Sequence, residues 1–177
     1  MDRVTLVNGF RLNLDYTMQL VEDVKENEMT AQPNGFTNHP AFTLGHLVTA
    51  TALSQKVMGK KYVVPTGWDE LFRRRGPGDP TLPEKDASRY PAKEALIEEI
   101  KTKSTELIDL INEAEDAYFE EPYEWKLDHY MPTVGQVMYF QCFLHHGWHI
   151  GQLAEWRRLM GYDSALRRLM NSDHKHD

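Results

Sequence analysis

Apolar residues recur at Leu6, Phe10, Leu14, Met18, Val21 and Val24, in steps of three or four that trace one face of a helix. The pattern predicts a first helix over residues 3–28. Residues 30–39 interrupt it, with Pro33, Asn34 and Gly35 reading as a turn. Pro40 suits the first turn of a second helix, where its missing N–H is no loss, and Asn38 or His39 takes the capping position. That helix is expected from Pro40 to Met58, stopped by Gly59, with Phe42, His46, Thr49, Leu53 and Val57 along its inner stripe. Between Gly59 and Tyr90 the chain holds Pro65, Gly67, Gly76, Pro77, Gly78, Pro80 and Pro83, too many breakers for a long regular element. A strand reading at Tyr62, Val63 and Val64 is weak, with too few residues to decide.

A connection of that length inside one domain is usually functional or mobile, and Tyr62, Trp68, Leu71 and Phe72 give it apolar groups with which to fold back over the helices. Pro91 opens a third helix that buries Leu96, Ile97, Ile100, Leu107, Ile108, Ile111 and Ala114; residues 120–131 are irregular between it and the fourth. The fourth helix starts at Thr133 and runs to a left-handed cap at Gly161. Its 28 residues span about 42 Å. A short helix covers Ala165–Met170. The fold class that follows is all-α: an antiparallel four-helix bundle with a long crossover loop between helices two and three, as one domain over residues 1–170 with a flexible tail at 171–177.

Composition narrows the function. With 177 residues, 41% of them hydrophobic, the chain can build a core that needs neither a disulfide framework nor a structural metal. Twenty basic residues against 27 acidic ones give a net charge of −7, which argues against nucleic acid and anionic membrane as partners. Cys142 is the lone cysteine, so no intrachain bridge is possible, and the opening MDRVTLVNGF lacks a basic start followed by an apolar run. A reducing cytoplasm is the expected location. No stretch approaches the roughly 20 apolar residues of a membrane span.

The chemistry concentrates on histidine. His145 and His149 stand four apart and project from one face of the fourth helix, a spacing that suits two imidazoles sharing one ion. His46 lies on the apolar stripe of another helix, flanked by Gly45 and Leu47. Two readings stay open on this pattern: separate hydrogen-bonded core histidines, or three rings converging on a cation that satisfies one nitrogen of each. Gln152 follows His149 by three and either orients it or bonds across the bundle. Cys142 reads as a small hydrophobe and His146 as a surface or interface residue pointing away from the pair. Trp148 suits the core or a dimer face. His39 sits by the helix cap, His129 in a loop, and His174 and His176 in the tail. The run Arg73, Arg74, Arg75 reads first as a solvated loop, with an anionic substrate at the mouth as the alternative.

The stretches NHPAFTLGHL (38–47), SRYPAKEAL (88–96) and HHGWHIGQLAEWRRLMG (145–161) resemble the DinB-like (DinB/YfiT) superfamily, in order over nearly the whole chain. The GHL histidine and the later HxxxHxGQ are its most specific motifs. Phe42 stands where relatives commonly show tryptophan, a departure that leaves the ligands untouched. The resemblance implies a four-helix bundle that binds a divalent metal through His46, His145 and His149, and a homodimer. Some members act as metal-dependent S-transferases using low-molecular-weight thiols such as bacillithiol or mycothiol; others have no assigned activity. The family name comes from damage inducibility and implies no DNA binding.

Three imidazoles leave a divalent ion an open position, as in catalytic sites. The leading expectation is therefore a metal-dependent transferase acting on a small-molecule substrate, in which a low-molecular-weight thiol is activated for S-transfer. The alternatives are a hydrolase using a metal-bound water and a non-catalytic metal-binding or dimerisation module. Zinc fits three imidazoles best, and nickel or iron also fit.

Overall fold

The α2 helix, Pro40–Val57, is buried on nearly every side, from Ala41, Phe42 and Leu44 through Leu47, Val48 and Ala52. A helix apolar all round belongs inside the fold rather than on its rim, so the single stripe expected for it is too narrow. His39 is its cap: the ring Nδ1 accepts from the Phe42 amide, Nε2 lies 3.0 Å from the Glu84 carbonyl, and Pro40 fills the first helical position. At the other end Gly59 has φ of 84° and takes the left-handed turn that stops the helix.

The computed structural model describes residues 2–33, 38–74, 76, 79 and 81–171. The chain is all-α, with no strand among the described residues. Around α2 are arranged α1 (Arg3–Val21), the one-and-a-half-turn α3 (Trp68–Phe72), α4 (Lys93–Glu113), α5 (Val134–Tyr139), α6 (His146–Leu159) and α7 (Ala165–Asn171). Short 3₁₀ turns lie at Glu26–Glu28, Ala87–Arg89 and Asp116–Glu120. No helix among the described residues is long and apolar enough to cross a membrane.

The first helix ends at Val21 rather than at residue 28. Neither glycine nor proline stops it. Cations from elsewhere take carbonyls at its end and just beyond it: Arg168 bonds that of Gln19, Arg157 that of Leu20 at 2.8 Å, and Lys93 those of Glu22 and Val24, after the last turn, at 2.8 and 2.7 Å. Satisfying these orphan acceptors tertiarily ends the helix cleanly.

The fourth long helix is present but not uniform. Between α5 and α6, residues Phe140–His145 form a π-helical segment. Met138, Cys142, His146 and Ile150 are all buried and stand four apart. In an α-helix such a row swings about 40° per step away from the core; the wider π turn absorbs the drift, and π segments are frequent at functional sites.

Two hydrophobic clusters divide the interior. One gathers Leu20 of α1 and Val24 just after it, Phe42 and Leu47 of α2, Phe72 of α3, Leu96 and Ile100 of α4, and Leu153 and Trp156 of α6. The other gathers Leu6 and Phe10, Val57, Leu107 and Ile111, and Val134, Val137 and Met138. The crossover packs onto the first cluster through Trp68 and Phe72. The breakers Pro77, Gly78 and Pro80, the turn at Asn34 and Gly35, Arg75, and the tail histidines His174 and His176 lie outside the described residues.

Candidate metal centre

Three rings meet where α2, the end of the π segment and α6 face one another. The His46 and His149 centroids are 4.7 Å apart, His145 and His149 4.7 Å, and His46 and His145 5.2 Å. The Nε2 of His145 lies 3.3 Å from the Nε2 of His46 and 3.3 Å from that of His149. One ligating atom from each of the three falls within 4.8 Å of the others.

The outer nitrogens are held in turn. His46 Nδ1 donates to the Phe72 carbonyl at 2.9 Å, and Phe42 lies flat against the His46 ring, 5.7 Å away and 8° from parallel. His149 Nδ1 is 3.1 Å from Gln152 Oε1, which also accepts from Asn38 Nδ2 at 2.8 Å. Asn38 Oδ1 in turn accepts from Arg74 at 2.8 Å. His145 stacks on Phe140 at 6.2 Å, and its Nδ1 is buried without a hydrogen-bond partner. Gly45 is required for this closeness, because a Cβ there would come 2.3 Å from the Phe72 ring.

Burial dominates the electrostatics. Desolvation pushes the His46, His145 and His149 pKa values below the ordinary imidazole range; the neighbouring rings add to it at His145 and His149, and the Arg74 charge adds to it at His46. The three are neutral at pH 7, the state in which imidazole ligates a cation.

The donor set fits a divalent ion. A carbonyl only accepts, so the proton on His46 is at Nδ1 and its Nε2 presents a lone pair toward His145. A single proton on His145 Nε2 can be given to one neighbour at a time. A cation satisfies all three nitrogens together, and tetrahedral ligands at about 2.0–2.1 Å stand about 3.3 Å apart, the spacing found here.

Other readings from the sequence fare unevenly. Gln152 does orient His149, and it also bonds across to Asn38. Cys142 is 1% exposed in the second apolar cluster, with its thiol pKa pushed up by burial, and packs as a hydrophobe. His146 is not a surface residue: it is 2% exposed, 3.3 Å from Thr17 Oγ1 and edge-on to Phe10. The wide π turn lets adjacent His145 and His146 both point inward. Trp148 is 57% exposed rather than core, and stands edge-on to Phe140 beside His145. His129 is exposed in a turn. Arg73 is solvated, whereas Arg74 is half-buried over Phe42, its guanidinium 4.3 Å from the ring centre. Two supports escaped sequence reasoning: the Phe72 carbonyl, which a side-chain pattern cannot mark, and Asn38, whose place before Pro40 signalled only a cap.

Comparison with curated proteins and with solved structures finds no match. A profile of the DinB superfamily matches residues 10–153, a span that takes in all three histidines and most of the chain. On that match the chain belongs to the DinB superfamily.

Proposed function

We propose that His46, His145 and His149 bind one divalent cation and that the protein is a metal-dependent transferase that activates a low-molecular-weight thiol for S-transfer. The observation that carries this reading is that His145 Nε2 stands at ligand spacing from the Nε2 atoms of both His46 and His149, with the outer nitrogens of those two rings held from behind. A bound divalent cation stabilises the thiolate form of a thiol, and the thiolate is the nucleophile.

The surroundings suit an organic thiol and its acceptor. A thiol held by the cation needs no further base once its proton has left to solvent. Its sulfur forms a bond to an electrophilic carbon, and the leaving group departs with its electron pair. Phe140 and the exposed Trp148 border His145 and give an organic acceptor apolar surface. Zinc is the ion of choice for three imidazoles, with nickel and iron compatible.

The fold reading that goes with it is a four-helix bundle over residues 1–170. The two core clusters support it: each joins opposite ends of the chain's long helices, so that α1 and the α5–α6 rod run one way and α2 and α4 the other. Consecutive helices that run the same way need a long connection, the role given to residues 58–92. A homodimer in the cytoplasm completes the reading.

Elemental analysis of tag-free protein is the direct test. Stoichiometric metal in the wild type and its loss in His145→Ala and His149→Ala are expected; full metal content in both variants refutes the assignment. With a panel of biological thiols and an electrophilic acceptor, conjugate should form and disappear on chelation. An ion-loaded protein that turns over no thiol moves the function to the hydrolase or the non-catalytic module.

A further inference from the structure

The crossover reaches two of the three rings from behind. Phe72 does so directly, through its carbonyl on His46 Nδ1. Arg74 does so through two amides, Asn38 and Gln152, that end on His149 Nδ1.

The direction of that chain is fixed by its first member. A guanidinium only donates, so the Asn38 atom facing Arg74 at 2.8 Å is the acceptor Oδ1. This turns Asn38 Nδ2 toward Gln152, whose oxygen accepts at 2.8 Å. The same oxygen faces His149 at 3.1 Å, so His149 Nδ1 carries the proton and Nε2 is left bare. Arg74 is itself anchored, by the Thr81 carbonyl and by the Phe42 ring beneath it, and Phe42 is stacked on His46.

We propose that the crossover segment Phe72–Arg74, acting with Asn38 and Gln152, sets the tautomers of His46 and His149 so that both present Nε2 lone pairs before any ion arrives. Arg74 and Asn38 are then positioning residues. The importance of the lone pairs rests on the proposed ion site, but the tautomers rest on the hydrogen bonds alone. Outer supports of this kind are worth roughly 10–100-fold in metal affinity.

Long-range ¹H–¹⁵N NMR of the full chain, stripped of ions with a chelator and held at neutral pH, reads the tautomers without any metal. His46 and His149 are expected as Nδ1–H. Asn38→Asp keeps the bond to Arg74 but cannot donate to Gln152. Gln152 must then turn its amino group inward, and the His149 proton should move to Nε2. Zinc affinity, measured against a chromogenic chelator, should fall by about 10–100-fold. Gln152→Glu keeps an acceptor at His149 and should retain both the tautomer and tight zinc binding; Arg74→Lys, still donor-only, should do the same. Gln152→Met, which only removes the acceptor, should weaken zinc and carries the test if Asn38→Asp fails to fold. His149 found as Nε2–H in the wild type overturns the proposal, as does Asn38→Asp with wild-type tautomer and affinity. The expected tautomers in a protein that takes up no zinc would instead remove the ion site and leave the tautomer assignment standing.

Discussion

Gly45 shows how far a single atom governs this site. Its hydrogen is the only group that lets the Phe72 ring lie against α2, and that ring is 0% exposed, with Trp68 and Tyr90 packed around it. Gly45→Ala therefore meets a side chain with no free volume to retreat into. Overpacking of this kind costs about 1–3 kcal/mol, and here the displaced residue also carries the carbonyl that holds His46. The expected outcome is a lower melting temperature together with weaker zinc binding by about 10-fold. Calorimetry and a chelator competition would report the two losses separately. Loss of stability with unchanged zinc affinity would show that the Phe72 carbonyl follows the helix and that the ring contact is only packing.

Among the elements, those whose stop signals are local were legible in the sequence and those set by distant groups were not. The start of α2 at Pro40 and its end before Gly59 follow from residues at the spot. The end of α1 follows from Lys93, Arg157 and Arg168, far away in the chain, and a run of apolar residues through Val24 says nothing of them. The π segment was hidden for a related reason, since buried positions four apart suit an α-helix locally and drift only over several turns. His46, His145 and His149 were readable because spacing and an apolar flank mark them. The Asn38–Gln152 bond joins residues 114 apart in sequence, a pairing that no local pattern carries. Arg157 is the sharpest case of a distant constraint: 2% exposed, it pairs with Asp23 and bonds the carbonyls of Leu20 and Asp163. Asp23→Ala leaves that guanidinium buried without its main counter-ion and should destabilise by about 3 kcal/mol in urea unfolding. Arg157 and Arg168 hold the Asp23 carboxyl down to about 2. Its contribution is thus present above the ordinary carboxylate value and is lost as pH falls toward 2.

At the scale of the molecule, burying neutral imidazoles ties stability to pH and to metal together. His39, His46, His145, His146 and His149 all have pKa values below the ordinary 6.5, with desolvation the largest cause in each, and that of His145 falls to about 4. Below pH 6.5 the unfolded chain takes up protons that the folded chain refuses, so stability rises with pH across this window and is lost as pH falls through it. Each such group adds up to about 1.4 kcal/mol per pH unit. The ion-free protein should therefore lose melting temperature steeply between pH 7 and pH 5, far more than a chain whose histidines are exposed. Zinc in excess binds only the folded, neutral triad and should raise the melting temperature at pH 7. The competition between protons and zinc for the same three nitrogens should shrink that increment as pH falls. Differential scanning calorimetry with and without zinc at pH 7 and pH 5 measures both effects. An increment that is equal at the two pH values would mean that zinc binds somewhere other than the three histidines, and a His46→Ala chain that keeps the pH 7 increment would show the same.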